Sequence, residues 1–116
     1  MRLFISYTSK DPNVTKDALI QLEQKITPFA NVFIDLLHNK KGKLHRVYAE
    51  LNRSDIVLQI VSLGYESKWV EKELYYARKM GKPILKASIK ELIAMDEKTL
   101  YRLFSDAESI NVTVDE

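Results

Sequence analysis

Short apolar runs separated by stretches of helical periodicity recur along this chain, and that alternation limits its fold more than any other feature. Residues 2–7, 31–35, 56–62 and 83–88 read as strands, and residues 109–114 alternate polar and apolar as an edge strand would. Between the first two runs, Val14, Ala18, Leu22 and Ile26 repeat at i+4 with Leu19 beside them, which describes an amphipathic helix. Asp11 is its expected N-cap and Pro12 its first residue, and Thr27-Pro28 ends it. Leu44, Val47, Tyr48 and Leu51 carry the next helix. Ser67 caps another, whose core stripe is Val70, Leu74, Ala77 and Met80. Gly81 stops that helix, with Arg78, Lys79 and Lys82 set favourably against its dipole and Pro83 just beyond. Residues 91–104 are helical in outline.

Strands that alternate with helices in this way build a parallel sheet covered on both faces. Right-handed crossovers leave few topologies. The leading one is α/β and flavodoxin-like: an open sheet of five mostly parallel strands in the order 2-1-3-4-5, with helices on both faces. A length of 116 residues makes one domain spanning 1–116. Met1 directly precedes the first strand and reads as a native start.

Composition removes several functions. The net charge of +2 is too small to imply nucleic acid as a partner. Without cysteine there is no disulfide, thiolate nucleophile or cysteine metal site. His38 and His45 lie in a lysine-rich stretch and make a poor metal pair, so no metal is expected. The first residues are too short an apolar run for a signal peptide, and no segment nears the roughly 18 apolar residues of a membrane span. A cytoplasmic domain without membrane contact is expected.

In an open α/β sheet the ligand lies beyond the carboxyl ends of the strands, where the strand order reverses. Here that crevice falls between Ser6-Tyr7-Thr8-Ser9 and Ser62-Leu63-Gly64-Tyr65. Trp69, the only tryptophan, and Glu73 share one face of the helix that begins beside it. The loop after the first strand has no glycine, so a phosphate-binding P-loop is absent, as is G-x-G-x-x-G. A phosphoacceptor receiver would end its third strand on aspartate, where this chain has Ser62. Spacing alone favours a plain role for the pair, Trp69 anchoring the helix and Glu73 solvated. Glu66, in the turn, is the other carboxylate within reach, whereas Glu71 should point away.

Phe4-Ile5-Ser6-Tyr7-Thr8-Ser9-Lys10-Asp11 resembles the opening strand and turn of the TIR (Toll/interleukin-1 receptor) domain. Val32-Phe33-Ile34-Asp35 with Gly42 downstream resembles its second strand and loop. Ser54-Asp55-Ile56-Val57 through Ser62, then Tyr65, Ser67, Trp69, Glu73 and Leu74, resembles its most diagnostic block, and Ala77 with Gly81-Lys82-Pro83-Ile84 fits the strand after that. The ordered set covers most of residues 3–88 and is similar to TIR domains of the bacterial type.

For some members the resemblance implies cleavage of NAD at the nicotinamide–ribose bond, giving ADP-ribose or its cyclic form, with NAD as substrate and no cofactor. It makes Glu73 the catalytic carboxylate and Trp69 an aromatic wall for the nicotinamide–ribose end. Ser6, Tyr7, Thr8, Ser9, Asp35, Ser62 and Tyr65 complete the expected substrate site, the hydroxyls and amides near Thr8 and Ser9 receiving phosphate or ribose. Self-association or pairing with another TIR domain is the expected partnership, and bacterial anti-phage defence or signalling the setting. Receptor-type relatives carry arginine-aspartate and proline-glycine after the second strand. Here His38-Asn39-Lys40-Lys41-Gly42-Lys43 has neither, which weakens receptor-like signalling through that loop. Lys40, Lys41, Lys43 and Arg46 form a basic cluster that reads as a solvated face or an attractor for pyrophosphate or an acidic partner. Two alternatives stand beside the enzyme: a non-catalytic TIR interaction module, and a nucleoside deoxyribosyltransferase-like enzyme that also uses a carboxylate at a ribose carbon.

Overall fold

The computed structural model describes residues 1–114, with side chains as far as Glu108. Four strands, β1 (Arg2–Ser6), β2 (Asn31–Phe33), β3 (Ile56–Ile60) and β4 (Ile84–Ala87), form one sheet in the order β2-β1-β3-β4. All three pairings are parallel, with Phe4 opposite both Phe33 and Val57, and Leu58 opposite Leu85. Among the described residues six helices accompany them: α1 (Lys16–Ile26), α2 (Asp35–His38), α3 (Leu44–Arg53), α4 (Lys68–Lys79), α5 (Ile89–Ala94) and α6 (Glu97–Val114).

The period of two along each strand divides the core. Leu3 and Ile5 of β1 and Ile56, Leu58 and Ile60 of β3 face Leu19, Leu22 and Ile26 of α1 together with Leu92, Leu100 and Phe104. Phe4, Phe33 and Val57 point the other way, onto Val47 and Leu51 of α3 and Val70, Leu74 and Ala77 of α4. The sheet is therefore buried on both sides, as its near-continuous apolar strands require.

The expected fifth strand is corrected: residues 109–114 continue α6. Leu100, Phe104 and Ala107 recur at helical spacing and are buried against the α1 face. Extending a helix from that packed stem adds one bond per residue, and no glycine or proline interrupts residues 97–114. The single helix expected over 91–104 is two. A capping box between Ser88 and Glu91 starts α5 early. Asp96 then accepts from the Thr99 backbone N–H at 2.7 Å and starts α6. Lys25 Nζ closes the end of α5 by donating to the carbonyls of Ile93 and Met95.

Helix α1 also begins later than expected. Thr15 is its N-cap, accepting from Ala18 N at 3.1 Å. Asp11 instead closes a turn of its own: its carboxylate accepts from Asn13 N at 2.9 Å and its carbonyl from Val14 N at 3.1 Å. The α4 helix ends as expected, with Gly81 at φ 69° and Lys82 N reaching back to Ala77 O at 2.9 Å. Among the described residues no helix is long and apolar enough to cross a membrane.

Candidate active site

The parity that sends Phe4 toward α4 sends Ser6 there too, at the carboxyl end of β1. Its hydroxyl is fully buried and donates to Glu73 Oε1 at 2.9 Å. Glu73 leaves α4 from the stripe that Val70, Leu74 and Ala77 press onto the sheet, so its carboxyl is carried inward and is only 3 % exposed. A plain solvated glutamate is thereby excluded at this position. Burial raises its pKa from 4.5 to about 7, opposed by the hydrogen bond from Ser6, and the negative charge of Asp35 pushes the same way as burial. The Trp69 side chain, one turn earlier, favours the charged form by hydrogen bonding.

Above this carboxyl lies a crevice of about 290 Å³. Tyr7, Thr8 and Ser9 form one wall, Trp69 and Glu73 another, and Asp35 closes the end nearest β2. These are six of the nine residues expected around the substrate. The volume is at the lower edge of the few hundred cubic ångströms typical of ligand sites.

Three small devices hold the Asp35 side. Asp35 does not finish the second strand as expected; it opens α2, a helical turn that sequence periodicity is too short to reveal. The Tyr7 hydroxyl accepts the Leu36 N–H at 3.0 Å, tying α2 to the end of β1. His38 Nδ1 accepts from Ile34 N at 2.9 Å while its other ring nitrogen pairs with Glu23. Asn39, buried in what reads as an exposed basic loop, donates to Asp35 Oδ1 at 2.8 Å and to the Lys43 carbonyl at 3.0 Å. Nothing in the local sequence singles out Asn39, because its partners are set by the turn of the loop.

Three expected residues stand elsewhere. Ser6 lies beneath the carboxylate and does not line the crevice wall, so its part here is to hold Glu73. Ser62 and Tyr65 line a neighbouring hollow with Asp11, Lys86 and Ser88. Ser62 lies past the end of β3, and a second hollow sets it and Tyr65 beside Val70, Glu71 and Leu74 of α4. The Ser62 hydroxyl and the Asn13 backbone hold the Asp11 carboxyl below its ordinary range. Conversely, Lys10 and Ser67 line the crevice without having been expected there. Glu66 and Glu71 are both exposed, and neither lines the wall around Glu73.

A buried carboxyl that ionises near neutrality, beside an aromatic wall and a row of hydroxyls, is suited to stabilising positive charge on a bound sugar or base. Neither a protein-family model nor a curated protein matches this chain.

Proposed function

We propose that this chain is a TIR-type domain of flavodoxin-like architecture that cleaves the nicotinamide–ribose bond of NAD in the cytoplasm, with Glu73 as the catalytic carboxylate. One observation carries this: the Glu73 carboxyl is withdrawn from water onto the Ser6 hydroxyl at 2.9 Å, under a crevice walled by Trp69. A buried carboxylate short of solvation gains most from a cationic partner. The nicotinamide ring of NAD is such a cation before the reaction, and the ribose becomes one during it.

As the bond from ribose C1′ to the ring nitrogen breaks, its electron pair leaves with nicotinamide, which departs neutral. Positive charge spreads over C1′ and the ring oxygen, as in glycoside cleavage. Ionised Glu73 lies below that charge, and the hydrogen bond from Ser6 keeps the carboxylate from turning away. Water then adds to C1′ and releases a proton, yielding ADP-ribose. Attack by the adenine of the same molecule yields the cyclic product instead. Trp69, 39 % exposed, offers a face on which the departing ring can stack. Self-association or pairing with a second TIR domain is part of this proposal, since Trp69 on the crevice wall is left partly exposed.

The test is NAD consumption by the chain at high protein concentration, alongside Glu73→Ala, with products separated by chromatography. Turnover that disappears in the variant is expected. Turnover that persists would remove Glu73 from the chemistry. Exchange between a free nucleoside and a second base, without NAD cleavage, would favour the deoxyribosyltransferase-like alternative, and a partner bound equally by both forms without turnover would favour the interaction module.

A further inference from the structure

The crevice is electrically lopsided. Asp35 lies close enough for its charge to act on Glu73, whereas Lys10 reaches the turn before α4, where Ser67 also lines the hollow. Lys10 is the only cation among the lining residues. Its backbone is pinned, the Lys10 N–H donating to Thr8 Oγ1 at 3.2 Å. Its ammonium crosses from the loop after β1 to the opposite lip and donates to the Glu66 carbonyl at 3.2 Å. An ammonium has three donors, so this bond leaves two. Among the described residues Lys10 forms no ion pair with any carboxylate. A pinned cation without an ion pair on a ligand-sized hollow is suited to receive an anion.

We propose that Lys10 is the phosphate-recognition residue of this crevice, taking the phosphate next to the ribose while the base lies toward Glu73 and Trp69. The inference rests on reading the crevice as a nicotinamide–ribose site and adds the direction in which the ligand lies. It also makes the site selective for nucleotides over nucleosides. Asp35 and Glu73 repel a phosphate from their own end, so the two ends of the ligand are told apart by charge as well as by shape. The bond to Glu66 is the resting arrangement, and a phosphate between the lips competes for the same ammonium.

The alternative is a purely mechanical strap that keeps the two lips together. Binding of nicotinamide mononucleotide and of nicotinamide riboside, which differ by the phosphate alone, separates the two roles. The measurement is calorimetric, on the whole chain and on Lys10→Gln and Lys10→Arg, so no turnover is needed. Loss of a charge-assisted bond at this exposed position is expected to weaken the mononucleotide about tenfold in Lys10→Gln. The riboside should change less than twofold, and Lys10→Arg should restore most of the mononucleotide affinity. Equal weakening of both ligands would establish the strap and overturn the proposal, as would no effect on either. Failure of the unmodified chain to bind either ligand would overturn the reading of the crevice itself, and this inference with it.

Discussion

Replacing Glu73 by glutamine should make the protein more stable, and increasingly so as the pH rises. The amide has nearly the shape of the acid, can still accept from Ser6 through its oxygen, and carries no charge to bury. Glu73 ionises at about 7 in the folded protein against an ordinary 4.5. The folded state therefore holds this proton more tightly than the unfolded chain does. Below pH 4.5 both states are protonated and the group contributes no penalty. Between 4.5 and about 7 the unfolded chain releases the proton while the folded protein does not, so stability falls as the pH rises. At about 1.4 kcal/mol per pH step, the accumulated cost at pH 8 is about 3 kcal/mol. In a domain of this size that is roughly a 10 °C rise in melting temperature for E73Q at pH 8, shrinking to little at pH 4.5. Urea unfolding of both forms at the two pH values measures it. Comparing the change between pH values, not the absolute stabilities, cancels any packing difference and every other titrating group. If the two forms keep the same stability difference at pH 4.5 and pH 8, Glu73 is not withdrawn from water and the electrostatic basis of the site is wrong. The same variant should be inactive, since it removes the charge that the ribosyl cation requires.

Further outcomes follow from the same geometry. Ser6→Ala removes the donor that holds Glu73 in its ionised form, so the rising limb of the pH–rate profile should move above about 7. Turnover at pH 7 should drop about tenfold and recover at higher pH; an unshifted profile would mean that Ser6 does not act through Glu73. Phe104 is fully buried on α6, 6.1 Å from the Phe29 ring. Phe104→Ala should cost about 3 to 5 kcal/mol in urea unfolding. A loss below about 1 kcal/mol would mean that α6 does not pack on the α1 face.

Much of the scaffold was legible in the chain because it depends on short-range rules. The apolar runs of β1 to β4, the i and i+4 pairing of Trp69 with Glu73, the Ser67 cap and the Gly81 stop each follow from strand period, helix period or a glycine's freedom at positive φ. The carboxyl-end crevice followed from the alternation of strand and helix. Where the fold departs from the sequence pattern, two local solutions compete. Residues 109–114 alternate as a strand would, yet the buried Leu100, Phe104 and Ala107 upstream extend a helix through them. Asp11 before Pro12 is a good helix start, yet it is equally good at closing a turn, and Thr15 takes the cap.

Local patterning was enough to specify an α/β chain with a parallel sheet, and to put Trp69 and Glu73 on one helical face at the sheet's carboxyl end. Only the packed molecule shows that Glu73 is buried on Ser6 while Glu71 is left in water. Packing also sets Ser62 in hollows beside the crevice and carries Lys10 across to Glu66. Periodicity states which residues share a face. Whether a charge on that face is stripped of water depends on which groups, distant in the chain, the sheet brings against it, as Ser6 and Glu73 meet across 67 positions.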